Sequence, residues 1–172
     1  MKTEHWLNPT LVLPALSAGG AEQLVEAVAR RVSQVAKVEV GATRAAFADA
    51  LGAEGSSLGG GVAIPHAELA GLREPVVALA ITRAPLSLPS IDGRAPDVFF
   101  FILAPPDDPQ GHLLLLARLA RLAQSRTLVE GLRRLTKGDE IVTLVQAAEL
   151  RHVPAPTTEP ASGYAMIVIA IA

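Results

Sequence analysis

The sequence predicts an α/β protein, with a mixed β-sheet of about five strands and helices on both faces of that sheet. Half of the 172 residues are hydrophobic but only 3% are aromatic, so Leu, Val, Ile and Ala have to fill the core. Residues 75–82 and 97–103 are continuous apolar runs of strand length, which is typical of strands buried on both faces. Amphipathic segments before and after these runs can supply the helices of a three-layer structure.

The helices are predicted from the spacing of apolar side chains. Residues 21–35 repeat apolar positions at intervals of three or four, which is the period of an amphipathic helix. A second, shorter helix is predicted to begin at Thr43, whose side chain can cap it. Three more helices are predicted after the strands, over residues 111–123, 125–135 and 139–150.

Shorter elements are predicted between the helices and the two long strands. A glycine- and serine-rich loop over residues 52–61 leads into a short strand that is predicted to end at Pro65. Further short strands are predicted near residues 38–40 and 86–91. Asp92, followed by glycine, is predicted to lie in a turn before the second long strand.

Composition excludes several classes of function. A net charge of −2, with 19% charged residues, argues against nucleic acid as a partner, because such binders carry an excess of Lys and Arg. The sequence contains no cysteine, which rules out disulfides, cysteine–zinc sites and cysteine nucleophiles. It also lacks a signal-peptide pattern and any run of the roughly 18 to 20 apolar residues that span a membrane. We therefore expect a cytoplasmic protein without direct membrane insertion.

The C-terminal region differs from the rest of the chain. Residues 1–151 are predicted to form one domain, whereas residues 152–163 contain three prolines and no periodicity, which is typical of a linker. Residues 164–172, YAMIVIAIA, have the composition of a buried first strand of another α/β unit. The alternative is an edge strand that folds back onto the first domain.

One short stretch, GVAIPHAEL at residues 61–69, places an ionisable side chain directly after a buried apolar run. His66 in this stretch could simply be a polar cap on the core. A neutral imidazole near pH 7 is also a nucleophile that can carry a phosphoryl group and be attacked again. A second histidine, His112, is predicted to lie at the N-terminus of a helix, where free amides and the macrodipole favour a phosphate.

These residues resemble a known family. The stretch GVAIPHAEL and the later SIDGRAPDVFFFILAPPDDPQGHLLLLARLARL are similar to the type-2 enzyme IIA domain of the bacterial phosphoenolpyruvate-dependent sugar phosphotransferase system, over about residues 7–150. The group includes fructose, mannitol and nitrogen-regulatory members, and the chain is most like the fructose-specific component. The resemblance implies that His66 accepts a phosphoryl group on its tele nitrogen, and that His112 stabilises this group.

The resemblance also implies partners. The phosphoryl donor is the phosphocarrier protein HPr, the acceptor is an enzyme IIB domain, and a membrane IIC component is served indirectly; neither a cofactor nor a metal is expected. Residues 164–172 resemble the first strand of a truncated IIB domain. The alternative function is a regulatory, nitrogen-type IIA-like protein that binds partners according to its phosphorylation state. A purely structural use of the fold is a third possibility, against which the intact His66 argues.

A phosphate-binding loop is expected beside His66. The backbone amides of a glycine-rich loop can approach an anion closely, and the candidates are Gly59, Gly60, Gly61 and Ser57. Family members usually carry Arg-Glu just before this loop, but the present sequence has no arginine between Arg44 and Arg73. Either transfer is slower as a result, or Arg44 or another cation substitutes.

Other uses of the same residues are less well supported. His66-x-Glu68 matches half of a zinc deaminase signature, but that chemistry needs cysteines which the chain lacks. His66, Glu68 and His112 could in principle bind a metal. Their separation lacks the usual helical spacing of metal-binding histidines, so this signal is weak.

Overall fold

The elements of the fold are taken from a computed structural model, which describes residues 6–53 and 55–151; the predicted linker and the segment 164–172 lie outside the described residues. A short 3-10 turn, Pro9–Leu11, precedes the first strand. The strands are β1 (Val12–Leu16), β2 (Ser57–Gly59), β3 (Val62–Ala63), β4 (His66–Glu68), β5 (Val76–Thr82) and β6 (Val98–Ala104). The helices are α1 (Ala21–Ala36), α2 (Val40–Gly52), α3 (Pro109–Ala123), α4 (Arg126–Arg134) and α5 (Gly138–Arg151).

The sheet is mixed, and its order is β1-β5-β6-β3-β2. The two long apolar strands, β5 and β6, pair antiparallel at its centre, and β1 pairs parallel with β5. On the other side of β6, both β3 and β4 pair parallel with it, so they follow one another along a single row of the sheet. Pro65 separates β3 from β4, and its carbonyl oxygen still accepts a hydrogen bond from the amide of Ile102. The row is therefore continuous in space.

Helices cover both faces of the sheet, as the sequence predicts. Every residue of β6 is buried, and its side chains alternate between two hydrophobic clusters. Phe99, Phe101 and Leu103 face the layer formed by α1 and α2, whereas Phe100 and Ile102 face the layer formed by α3, α4 and α5. The three-layer α/β prediction is confirmed, and one buried central strand joins the two hydrophobic clusters.

Several local predictions are wrong. The second helix begins at Val40 rather than after Thr43, because the carboxylate of Glu39 accepts hydrogen bonds from the amides of Gly41 and Ala42 and caps the helix earlier. Residues 38–40 therefore include the start of a helix instead of a strand, and residues 86–91 form no strand.

Strand β1 is missing from the sequence-based prediction. Its proline, Pro14, argues against a central strand, but β1 lies at the edge of the sheet, where a missing amide donor is tolerated. The strand around residues 62–65 also differs from its prediction. The first part of the row ends at Ala63, and His66 begins a new strand after Pro65.

The turn between β2 and β3 is fixed by a partly buried ion pair. Arg133 of α4 contacts the carboxylate of Asp97 through Nη2 at 2.7 Å and through Nε at 2.8 Å, and both side chains are mostly shielded from solvent. The same Nη2 donates to the carbonyl oxygen of Gly60 at 3.0 Å. Gly61 has a φ of 80°, and a Cβ atom there would lie 2.7 Å from the Arg133 guanidinium. Glycine at this position is required by both the backbone and the packing.

We predict that Gly61→Ala destabilises the protein by about 1–3 kcal/mol, because it places a side chain in a left-handed conformation and displaces the ion pair. Urea-induced unfolding would measure the change. Gly52→Ala is the matched control, since Gly52 ends α2 with open space around it, and the helical alanine should leave stability unchanged or slightly raised. Equal losses in the two variants would contradict the prediction.

Candidate functional site

His66 is the first residue of β4 and lies beside β6. It pairs with Ile102, and its side chain is half-buried rather than enclosed in the core. Pro65 before it is buried, so the chain leaves the core at this point and presents the imidazole at the surface. The sequence "IPH" thus links two short strands, β3, which ends at Ala63, and β4, which begins with the histidine.

A backbone hydrogen bond defines which nitrogen of His66 is free. Nδ1 lies 2.9 Å from the carbonyl oxygen of Ile64. A carbonyl oxygen can only accept, so Nδ1 carries the proton and donates it to Ile64. In the neutral ring, the lone pair is then on Nε2, the tele nitrogen, which is the nucleophilic atom.

His112 lies next to His66, although 46 positions separate them in the sequence. The chain leaves β6 at Ala104 and enters α3 at Pro109, which places His112 in the first turn of α3, as predicted. The centroids of the two imidazole rings are 5.5 Å apart, and their planes are inclined by 71°. Asp108 caps this helix by accepting a hydrogen bond from the amide of Gly111.

The Nε2 atom of His112 is buried and has no hydrogen-bond partner among the described residues. Burial lowers the pKa of His112 below its usual value, and the nearby charge of His66 lowers the pKa further, while Glu68 acts in the opposite direction. His112 is therefore neutral near pH 7. An unpaired polar nitrogen beside a nucleophilic imidazole suits it to contact a group that becomes attached to His66.

The structure does not bring the predicted glycine loop to the histidine pair. Gly61 accepts hydrogen bonds from the amides of Asp97 and Val98, at the beginning of β6, whereas His66 lies opposite Ile102. Val98 and Ile102 are four residues apart on β6, so the loop and His66 are separated by about 13 Å along this strand.

The groups of this loop are instead engaged with one another and with the neighbouring turn. The amide of Gly60 donates to Asp92 at 2.8 Å, and Ser57 Oγ lies 3.4 Å from the amide nitrogens of Gly59 and Ile91. Asp92 also accepts from Ser90 and from the amide of Arg94. These hydrogen bonds lower the pKa of Asp92 to about 2, with that from Gly60 contributing most. Asp92 lies in a turn, as predicted.

Arg44, the candidate substitute for the arginine missing before the glycine loop, forms an ion pair with Glu26. Arg44 Nη1 lies 2.9 Å from Glu26 of α1, which pairs α2 with α1 on one helical layer of the protein. The charges that influence His112 are those of His66 and Glu68.

Two exposed leucines follow His112 on α3. Leu113 and Leu114 are 66% and 64% exposed, whereas Leu115 in the same run is buried. The sequence reasoning did not single them out. Helical spacing could have found them, because Leu115, Leu119 and Leu122 define the buried face and leave residues 113 and 114 on the outside.

Within residues 6–53 and 55–151, no group of three or more His, Asp or Glu side chains is placed to hold a metal ion. In the same part of the chain, no helix is both long and apolar enough to cross a bilayer.

The fold and the histidine pair agree with the family that the motifs resemble. The chain belongs to the family described as phosphoenolpyruvate-dependent sugar phosphotransferase system, EIIA 2, whose model matches residues 6–148. Domains of this family carry phosphoryl groups and have HPr and IIB domains as partners.

Individual relatives lie in both branches of the family. The chain is 32% identical over 128 residues to a nitrogen regulatory protein of Bradyrhizobium diazoefficiens, which covers 73% of this chain and 82% of that protein. Its fold matches nitrogen regulatory protein IIA-Ntr from Neisseria meningitidis with a TM-score of 0.75 at 22% identity, over 81% of this chain and 95% of the other. It also matches the Escherichia coli complex of enzyme IIAMTL with phosphorylated enzyme IIBMTL, with a TM-score of 0.67 at 15% identity, over 82% and 97% of the two chains.

We predict that His112 makes the protein less stable as the pH falls. Because the folded state lowers the pKa of His112, the unfolded chain, whose imidazole titrates near about 6.5, binds the proton more tightly. This contribution to stability is present above the unfolded-state pKa and is lost as the pH falls through that value to the folded-state pKa. Thermal unfolding should therefore show a smaller loss of stability on acidification in His112→Gln than in the wild type.

An independent check is an NMR titration that follows the chemical shifts of the His112 ring protons as a function of pH. The midpoint should lie below about 6.5. A midpoint above that value, or the same pH dependence of unfolding in the wild type and in His112→Gln, would contradict the prediction.

Proposed function

We propose that this chain is a phosphoryl carrier in which Nε2 of His66 accepts the group from phospho-HPr and passes it to an acceptor domain. The observation that carries the proposal is the juxtaposition of His66, with its Nδ1 engaged by Ile64, and the unpartnered Nε2 of His112. The membership of the family supports the same reaction class.

Each transfer is a displacement at phosphorus. The lone pair of His66 Nε2 attacks, the new N–P bond forms, and the bond from phosphorus to the donor nitrogen breaks with its electron pair returning to the donor. The bond between Nδ1 and Ile64 keeps the ring oriented and holds the proton away from the attacking nitrogen. In the second transfer the acceptor attacks phosphorus, the bond from phosphorus to Nε2 breaks, and its electron pair returns to the His66 ring.

His112 is proposed to stabilise the phosphoryl oxygens without forming a bond to phosphorus. A neutral imidazole that carries its proton on Nε2 can donate to an oxygen, and this nitrogen is already stripped of solvent and unpaired. Its position in the first turn of α3 adds the field of the helix N-terminus.

The acceptor distinguishes two versions of the proposal. A regulatory role is supported by the nitrogen regulatory relatives, while acceptance by a IIB domain is supported by the fold shared with a IIA partner of phosphorylated IIB. Under the transport version, the chain is a cytoplasmic component that serves a membrane IIC protein indirectly, with fructose as the proposed sugar. Mixing the phosphorylated chain with a fructose-type IIB domain and following loss of label from His66 separates the two versions.

The arrangement of domains is also a proposal. Residues 1–151 are proposed as the IIA domain, residues 152–163 as its linker, and residues 164–172 as the first strand of a IIB domain. The support is the described core, which already covers both faces of the sheet within residues 6–151, and the proline-rich composition that follows.

We predict that incubation with phosphoenolpyruvate, enzyme I and HPr adds one phosphate to the chain, and that His66→Ala abolishes the addition. The reason is that the hydrogen bond from Nδ1 to Ile64 leaves the Nε2 of half-buried His66 as the nucleophile, whereas the Nε2 of His112 is buried. Intact mass spectrometry measures the gain, which should be labile in acid. A His66→Ala protein that still gains phosphate under these conditions would contradict the assignment of His66 as the phosphoryl acceptor.

His112→Ala should slow phosphoryl transfer while leaving the folded protein able to bind HPr. Loss of a positioned hydrogen-bonding group costs about 10²- to 10⁴-fold in rate. Rapid-quench measurement of transfer from phospho-HPr gives the rate, and binding to unphosphorylated HPr provides the control. Unchanged kinetics would reduce His112 to a residue at a helix end.

A further inference from the structure

Glu68 occupies the other end of the strand that begins with His66. It pairs with Ala104, the last residue of β6, and its side chain is exposed. From Ala104, a loop of residues 105–108 leads to α3, which carries His112. The carboxylate therefore lies on the strand row that flanks the loop leading to the second histidine.

The strand geometry directs Glu68 to the same side of the sheet as His66. Side chains two residues apart on a strand share a face, and their attachment points are about 6.7 Å apart. Ala67 between them packs with the opposite cluster, under α1 and α2, which is consistent with this alternation.

The charge of Glu68 acts on His112. It raises the pKa of His112, although burial and the charge of His66 outweigh this effect. No arginine or lysine has a comparable influence on His112 within the described residues. Among the described residues, Glu68 is thus the side chain of fixed charge whose effect on His112 is evident, and its charge has the same sign as a phosphoryl group.

We propose that Glu68 destabilises the phosphorylated form of His66 by charge repulsion and so increases the tendency of this chain to give up its phosphoryl group. The inference rests on the proposed function of His66 as phosphoryl acceptor. Phosphorylation adds a dianionic group to a ring that shares a face of the strand with the Glu68 carboxylate, and the unphosphorylated ring carries no such negative charge. The repulsion therefore acts on one side of the transfer equilibrium only.

Glu68 could in principle have the opposite effect, because an anion supports a protonated His112 and a cationic His112 would attract phosphate. The structure argues against this outcome near neutral pH. Burial is the largest influence on His112 and favours its uncharged form, so Glu68 lacks a cation to support. Direct repulsion is the effect that remains.

The test uses a small phosphoryl donor, so that it needs no partner protein. In phosphoramidate, His66 Nε2 attacks phosphorus, the N–P bond of the donor breaks, and the nitrogen leaves as ammonia after taking up a proton. At a fixed ratio of phosphoramidate to ammonia, the labelled fraction of the full chain reports the stability of phosphohistidine. Intact mass and ³¹P NMR measure this fraction, and His66→Ala defines the background.

We expect Glu68→Gln to raise the equilibrium constant for phosphorylation by about three- to tenfold at low salt, and Glu68→Lys to raise it further. The increase should shrink at about 1 M salt, since exposed charges are screened. Glu22→Gln is the matched control. It removes another exposed carboxylate, at the start of α1, near the opposite end of the sheet, and should leave the constant unchanged.

An unchanged or lower constant in both Glu68 variants would overturn the inference, as would an equal rise in Glu22→Gln. Failure of the proposed function gives a different result. In that case phospho-HPr does not label the wild type, while phosphoramidate still labels His66 and still ranks the variants. If phosphoramidate fails to label His66 in any variant, both the inference and the carrier assignment are overturned.

Discussion

Strand β6 is the constraint on which the rest of the structure depends. It is buried along its whole length, pairs with β5 on one side and with the row of β3 and β4 on the other, and carries side chains into both hydrophobic clusters. A residue cannot slip along such a strand without moving every apolar side chain to the wrong face. The core therefore fixes the register that places His66 opposite Ile102. The end of β6 at Ala104 also fixes the position of α3, which carries His112.

The same register separates two features that are close in sequence. Gly59, Gly60 and Gly61 lie only a few residues before His66, yet they sit beside the beginning of β6 while the imidazole lies farther along it. The glycines have a structural use at their end of the sheet, where they allow Arg133 and Asp97 to pack against the β2–β3 turn. A glycine-rich loop that is close to a nucleophile in sequence can thus have a structural role at a different place in the fold.

The histidine pair achieves its chemical asymmetry with very few groups. One backbone carbonyl, that of Ile64, determines which nitrogen of His66 is free, and burial keeps His112 uncharged. Leu113 and Leu114, which follow His112 on α3, are exposed apolar side chains. If Glu68 acts as proposed, the arrangement suits a site that holds a phosphoryl group briefly rather than one that binds it tightly.

The sequence by itself determined the α/β class, the two long buried strands and most helices, because periodicity and apolar runs are local properties of the chain. It also singled out His66 and His112 as candidate site residues through the motifs around them. It did not locate β1, since Pro14 is acceptable only at an edge that pairing alone defines, and it misplaced the start of α2, which the side chain of Glu39 decides. Tertiary structure alone decided the 5.5 Å approach of the two rings, the free nitrogen of His66 and the distance of the glycine loop from it. The reason is physical: these depend on how strands pair across the sheet, and pairing joins residues that no local pattern connects.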